Sequence, residues 1–184
     1  MFRGFIAIDV PSTPALDAFA GNLRKASPAL KVVATDQLHL TLKFLGETEE
    51  GLVPDVRTAM AEAVGDLSPF EIRVNGTGAF PSLGRMNVIW VAVDGAEPIR
   101  RVAEALQVGL ESLGFPREDR PWKAHVTIAR VKGHRDLDRA RRLVEAHSSD
   151  AFGSHTVDAI HLKKSVLTPQ GARYTVVDTV PFSG

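Results

Sequence analysis

The chain has 184 residues, 44% of them apolar and 24% charged, and its 22 basic side chains are matched by 22 acidic ones. That composition fits a globular protein of one domain, here 1–184, built as two lobes around a shared core. It argues against disorder, fibre, or a protein that coats duplex nucleic acid through bulk charge. There is no cysteine, which excludes disulfide scaffolds, thiolate metal sites and cysteine nucleophiles.

Phe2 to Val10 is rich in strand formers and stops at Pro11, so it predicts a first strand and not a signal peptide. No stretch approaches the roughly 18 apolar residues of a membrane span. The expected location is therefore cytoplasmic. Ser12 is placed to cap a helix with Pro14 in its first turn, and Leu16, Phe19, Ala20 and Leu23 recur at helical spacing as far as Ser27-Pro28. Leu30 to Val33 reads as a short extended piece, Thr35-Asp36 as a turn, and the strand from His39 closes at Gly46. Pro54 opens a second helix to about Val64, with Gly65 as its stop.

Phe70 to Val74 and Met86 to Val93 predict strands, separated by irregular backbone at Asn75-Gly76-Thr77-Gly78 and Pro81-Ser82-Leu83-Gly84. Pro98 begins a third helix through Leu113, which Gly114 ends. A Pro-containing segment then feeds a strand at His125. After the turn at Gly133, a fourth helix covers about Leu137 to His147. Two closing strands, Thr156 to Leu167 and Arg173 to Val180, flank a turn over Thr168-Pro169-Gln170-Gly171. The order β-α-β-α-β-β-α-β-α-β-β predicts an α+β fold. We expect two pseudo-symmetric lobes of mostly antiparallel sheet, with outer helices, around a central cleft.

Two of these strands share a pattern. His39-Leu40-Thr41-Leu42 and His125-Val126-Thr127-Ile128 each place a histidine and a threonine on one strand face and two apolar residues on the other. Apolar packing does not call for an imidazole and a hydroxyl two residues apart, twice. With an unperturbed pKa of roughly 6.5, one ring can be neutral and the other protonated near neutral pH. Such a pair can take a proton from a nucleophile and give one to a leaving oxygen, as in-line attack at phosphorus requires. The threonine hydroxyls can hold non-bridging oxygens, each preorganised donor being worth about 3 kcal/mol at a developing anion. No cofactor is implied. A metal is disfavoured, because the motifs offer only two imidazoles where structural zinc takes four ligands.

Other candidates are set by spacing. Strict alternation puts Lys43 on the face of His39 and Thr41, as a phosphate neighbour. The same rule turns Arg130 away from His125 and Thr127 unless a bulge or the strand end intervenes. Arg130, Lys132, Arg135, Arg139, Arg141 and Arg142 form a basic run against Asp136 and Asp138. It reads either as a solvated helix face or as a rim for an RNA backbone. His134, His147, His155 and His161 are assigned to surface or structure, and Trp90 to the core.

The paired motifs and their contexts resemble the two-histidine phosphoesterase superfamily. The likeness is greatest to the RNA 2′,3′-cyclic phosphodiesterases, formerly described as 2′-5′ RNA ligases. It runs over almost the whole chain, through Phe5-Ile6-Ala7-Ile8-Asp9, Leu38 to Gly46, Gly78-Ala79-Phe80-Pro81, Met86 to Trp90, Leu113-Gly114-Phe115, His125 to Arg130 and Gly171-Ala172-Arg173-Tyr174. The resemblance implies a bilobal fold and metal-independent opening of a 2′,3′-cyclic phosphate to a 2′-phosphate. His39 would be the proton donor, His125 the proton acceptor, Thr41 and Thr127 the phosphate holders, and Arg130 a basic neighbour. The implied partner is an RNA end, such as a tRNA fragment, or a cyclic nucleotide. With no pattern of a coiled coil or an exposed apolar helix, a monomer is expected. End joining through a 2′-5′ linkage at the same site, and a non-catalytic RNA- or nucleotide-binding module, are the alternatives.

Overall fold

In the computed structural model, which describes residues 1–133, 135–169 and 171–184, the strands form two wholly antiparallel sheets. The first sheet runs β3 (His39–Thr48), β1 (Phe2–Asp9), β8 (Ala159–Thr168), β9 (Gly171–Pro181). The second runs β2 (Leu30–Val32), β6 (His125–Val131), β5 (Arg85–Asp94), β4 (Phe70–Ser82), β7 (Ala151–Val157). Four helices complete the expected α+β architecture: α1 (Pro14–Ala26), α2 (Val53–Val64), α3 (Glu97–Gly109) and α4 (Asp138–Ala146). Among the described residues no helix is long and apolar enough to cross a membrane.

The lobes repeat one wiring. β1 leads through α1, and then through β2 of the second sheet, to its neighbour β3, and β5 leads through α3 to its neighbour β6. Each connecting helix nevertheless packs on the other lobe. α1 joins β1 of the first sheet to β2 of the second and lies on β2, β6 and β7 of the second, beside α4. α3 joins strands of the second sheet yet lies on β3 of the first, beside α2, which covers β9. The stripe Leu16, Phe19, Ala20, Leu23 and Ala26 is what α1 buries there, at the i, i+3, i+4, i+7 spacing of one helix face. β3 and β6 meet where the lobes join.

Five local expectations change. The strand from His39 does not close at Gly46 but runs on to Thr48, which pairs with Phe2. Thr13, not Ser12, caps α1: Pro14 takes the first helical position, so the cap is the residue just before it. Thr13 Oγ1 accepts from Leu16 N–H at 3.2 Å and donates to Phe152 O at 2.6 Å, while Ser12 donates to Asp17 at 2.8 Å. The third helix stops at Gly109 and gives way to a 3-10 turn, Glu111–Leu113, before Gly114. The residues read as irregular at Asn75–Gly78, and Pro81-Ser82, belong to β4, which absorbs register shifts at Gly76 and Pro81 and keeps pairing. The strand read as Thr156 to Leu167 is two strands. β7 ends at Val157 in one sheet and β8 begins at Ala159 in the other, with Asp158 as the crossing point. Gln170 in the predicted closing turn and the surface assignment of His134 lie outside the described residues.

Candidate active site

Both motif strands break alternation at the same step. On β3, Thr41 is opposite Ala7 and Lys43 opposite Ile6, so Leu42 is an extra residue. On β6, Thr127 is opposite Trp90 and Ala129 opposite Ile89, so Ile128 is extra. Directly paired residues share a face, so the unbulged neighbours decide the orientation. Asp9, Ala7 and Phe5 alternate along β1 and put His39, Thr41 and Phe44 on one side. Ala92, Trp90 and Val88 do the same for His125, Thr127 and Arg130.

This corrects the reading of Lys43. The bulge turns it to the opposite face, where it is 1% exposed and its ammonium donates to Gln107 Oε1 at 2.7 Å and to Pro116 O. It is not a neighbour of the histidines' face. The equivalent bulge in β6 brings Arg130 onto the face of His125 and Thr127, one of the two routes that strict alternation left open.

The two imidazoles are held alike. His39 Nδ1 lies 2.9 Å from Gln37 O, and His125 Nδ1 lies 2.8 Å from Lys123 O, each two residues back along its own chain. A carbonyl can only accept, so Nδ1 carries the hydrogen in both rings and Nε2 is the atom left to exchange a proton. Gln37 is itself fixed, its Oε1 accepting from Tyr174 N–H at 2.7 Å. Phe5 and the edge of Tyr174 pack on the His39 ring, with centroids 5.0 and 4.8 Å away. Phe80 meets the His125 ring edge-on at 5.0 Å. Burial is the main cause lowering the pKa of each histidine from 6.5, and the Arg130 charge lowers both further. One guanidinium is thus felt by both rings.

The threonine hydroxyls make no hydrogen bond among the described residues, although Thr41 O accepts from Trp122 Nε1 at 2.9 Å. Phe44, at 59% exposed, stands beside Phe5 on the His39 side. Trp90, assigned to the core, is half-buried on the His125 face and lies flat over Gly78, where a Cβ would be 2.3 Å from the indole. His161, assigned to surface or structure, is opposite Ala7 on the same face as His39. Its Nδ1 is 2.9 Å from Thr179 Oγ1 and its Nε2 is 3.9 Å from Asp9 Oδ2, while Asp9 also takes the ammonium of the buried Lys163. Two cavities lie away from the histidines. One of about 350 Å³ runs between Arg85 and Arg141, and one of about 260 Å³ beside Trp122.

Sequence reasoning missed Phe5, Phe80, Tyr174 and Asp9 as neighbours of the histidines, although each lay in a segment that carried the family resemblance. Lys163 gave no signal, because a charged residue in a closing strand reads as solvent-facing. Of the basic run, Arg141 is used structurally, donating to Leu83 O at 2.9 Å and to Asp138 at 2.8 Å.

A family model described as the 2′-5′ RNA ligase superfamily matches residues 11–166, a span that contains both motifs. The chain belongs to the 2′-5′ RNA ligase superfamily. Among its relatives, a protein of Archaeoglobus fulgidus named RNA 2′,3′-cyclic phosphodiesterase is 35% identical, over 94% of this chain and 96% of its own length. A protein of Methanothermobacter thermautotrophicus with the same name is 31% identical, over 94% and 95%. A crystal structure of a Thermus thermophilus protein superposes with a TM-score of 0.78 at 31% identity, covering 98% of this chain and 97% of that one. The likeness to these superfamily relatives is therefore end to end and not confined to the motifs.

Proposed function

We propose that the chain is an RNA 2′,3′-cyclic phosphodiesterase that converts the cyclic end to a 2′-phosphate. One observation carries the reading. Two histidines with the same Nδ1–carbonyl anchor, each followed by a threonine whose hydroxyl has no partner among the described residues, sit on facing strands around one arginine. The names of the relatives support the substrate class.

In the proposed reaction His125 Nε2 takes a proton from water as the water oxygen bonds to phosphorus. The P–O3′ bond breaks on the opposite side, and His39 Nε2–H gives its proton to the departing 3′-oxygen. Water is consumed and no charge is left over; the two rings return to their starting states by exchange with solvent. Thr41, Thr127 and Arg130 hold the non-bridging oxygens, and Arg130 offsets their charge. The balance is complete without a metal.

The test is a defined RNA end bearing a 2′,3′-cyclic phosphate, incubated with enzyme and a chelator. The product expected is the 2′-phosphate. His39→Ala and His125→Ala should each lower the rate at least about a hundredfold, as for a lost acid or base. Full turnover by both variants, or a 3′-phosphate product, would overturn the assignment.

A further inference from the structure

The cations nearest the two motif strands differ in how they are paired. On the first sheet, Lys163 is neutralised by Asp9 and Arg173 is paired with Asp36 at 3.5 Å. On the second, Arg130 has no carboxylate partner among the described residues. Its cross-strand neighbour on β2 is Lys31, which is exposed and likewise has neither an ion pair nor a hydrogen bond among them. Directly paired residues share a face, so Lys31 stands on the same side as Arg130, Thr127 and His125.

β2 is the edge of its sheet, and among the described residues no further strand lies beyond Lys31. The Lys31 side chain also spans toward the other lobe. A methyl group built on Gly171, at the start of β9, would lie 3.0 Å from Lys31 Cε and 3.5 Å from Nζ. The ammonium is therefore held near the junction of the lobes, one residue outward from Arg130. Asp36, on the turn that follows β2, is already engaged by Arg173 and does not pair with Lys31.

We propose that Lys31 is a second phosphate subsite, binding the phosphate on the 5′ side of the nucleotide whose cyclic phosphate sits at Arg130. An RNA end carries such a phosphate as a diester, and a nucleoside cyclic phosphate carries one only when it is 5′-phosphorylated. Lys163 and Arg173 of the first lobe are engaged by carboxylates, whereas Arg130 and Lys31 stand side by side on the second with no carboxylate partner among the described residues, so the strand runs out over β6 and β2. The subsite makes the enzyme prefer RNA ends over cyclic mononucleotides. This inference rests on the proposed phosphodiesterase reading.

The experiment compares three substrates at fixed salt: a nucleoside 2′,3′-cyclic phosphate, the same compound with a 5′-phosphate, and a dinucleotide ending in a 2′,3′-cyclic phosphate. In the native protein kcat/KM should rise from the first to the other two. In Lys31→Gln the ratio of dinucleotide to mononucleotide kcat/KM should fall about tenfold, mainly through KM, and the log–log salt slope for the dinucleotide should shrink by about 0.7, one single-strand phosphate contact. Lys31→Arg should restore the ratio. If only the dinucleotide loses, the subsite reads a diester; if the 5′-phosphorylated compound loses equally, it reads any 5′-side phosphate. An unchanged ratio in Lys31→Gln overturns the subsite while leaving the phosphodiesterase standing. Failure of the native protein to open any of the three overturns the phosphodiesterase itself.

Discussion

His39 and His125 have the same anchor and the same cause of lowered basicity, yet the proposed reaction asks for opposite protonation states. The donor must be charged and the acceptor neutral. In the free enzyme burial lowers both below 6.5. kcat/KM therefore falls as pH rises through the His39 value, where the acid is lost, and falls again as pH drops through the His125 value, where the base is lost. The expected profile is bell-shaped with its maximum on the acid side of 6.5. A bound phosphate anion favours the charged form of each ring, so kcat should peak at higher pH than kcat/KM. Arg130→Gln removes a cation that lowers both rings and should move the kcat/KM maximum upward, while costing about ten- to a hundredfold in its height. Rates measured from pH 5 to 9 decide this, and an optimum for the native kcat/KM above pH 6.5 would contradict it.

At the scale of the strand, the bulges decide which side chains reach the cleft. Lys43 and Phe44 exchange the sides that strict alternation assigns them, and Ala129 and Arg130 do the same. The buried Lys43 then fastens the segment that leads into His125. Gln107 Oε1 accepts from both the ammonium and Glu118 N–H at 3.0 Å, Phe44 N–H reaches Glu118 at 3.4 Å, and Trp122 holds Thr41 O. Lys43→Met would leave Pro116 O without its donor and is expected to cost about 1.5–3 kcal/mol, the range for a hydrogen bond to a charged group. A urea midpoint that moves by less than the equivalent of about 0.5 kcal/mol would show that the clamp is idle. The same strands mark the reach of sequence reasoning. His39, Thr41, His125 and Thr127 precede the bulges, so period two placed them on shared faces. The residues after the bulges were misassigned or left open because Leu42-Lys43 and Ile128-Ala129 carry no glycine or proline to announce a kink. The helices were legible from their stripes, whereas the sheet change at Asp158 was not, since the residues on either side both favour strands.

At the scale of the molecule, the way α1 and α3 pack is expected to bind the lobes into one folding unit. α1 follows β1 of the first sheet and buries its apolar stripe on the second, while α3 joins β5 and β6 of the second sheet and packs on β3 of the first. Unfolding is therefore expected in a single transition. Two reporters test it: Trp90 lies on the second sheet, while Trp122 is pinned to β3 of the first. In Trp90→Phe and Trp122→Phe, the remaining indole's fluorescence should trace the same denaturant curve as that variant's far-UV circular dichroism. The linkage to protons has a fixed sign. His39 and His161 in one lobe, and His125 and His155 in the other, all have pKa values lowered from 6.5 by burial. Below about 6.5 the unfolded chain binds protons that the folded chain does not, so this contribution to stability is complete above that pH and is lost as pH falls toward the folded values. A molecule of two independent lobes would split into two transitions on acidification, each following its own histidine pair. The crossed wiring predicts instead that both indoles report one midpoint at pH 7.5 and at pH 5.5, displaced together to lower denaturant. Separation of the two curves at either pH would show that the lobes unfold apart.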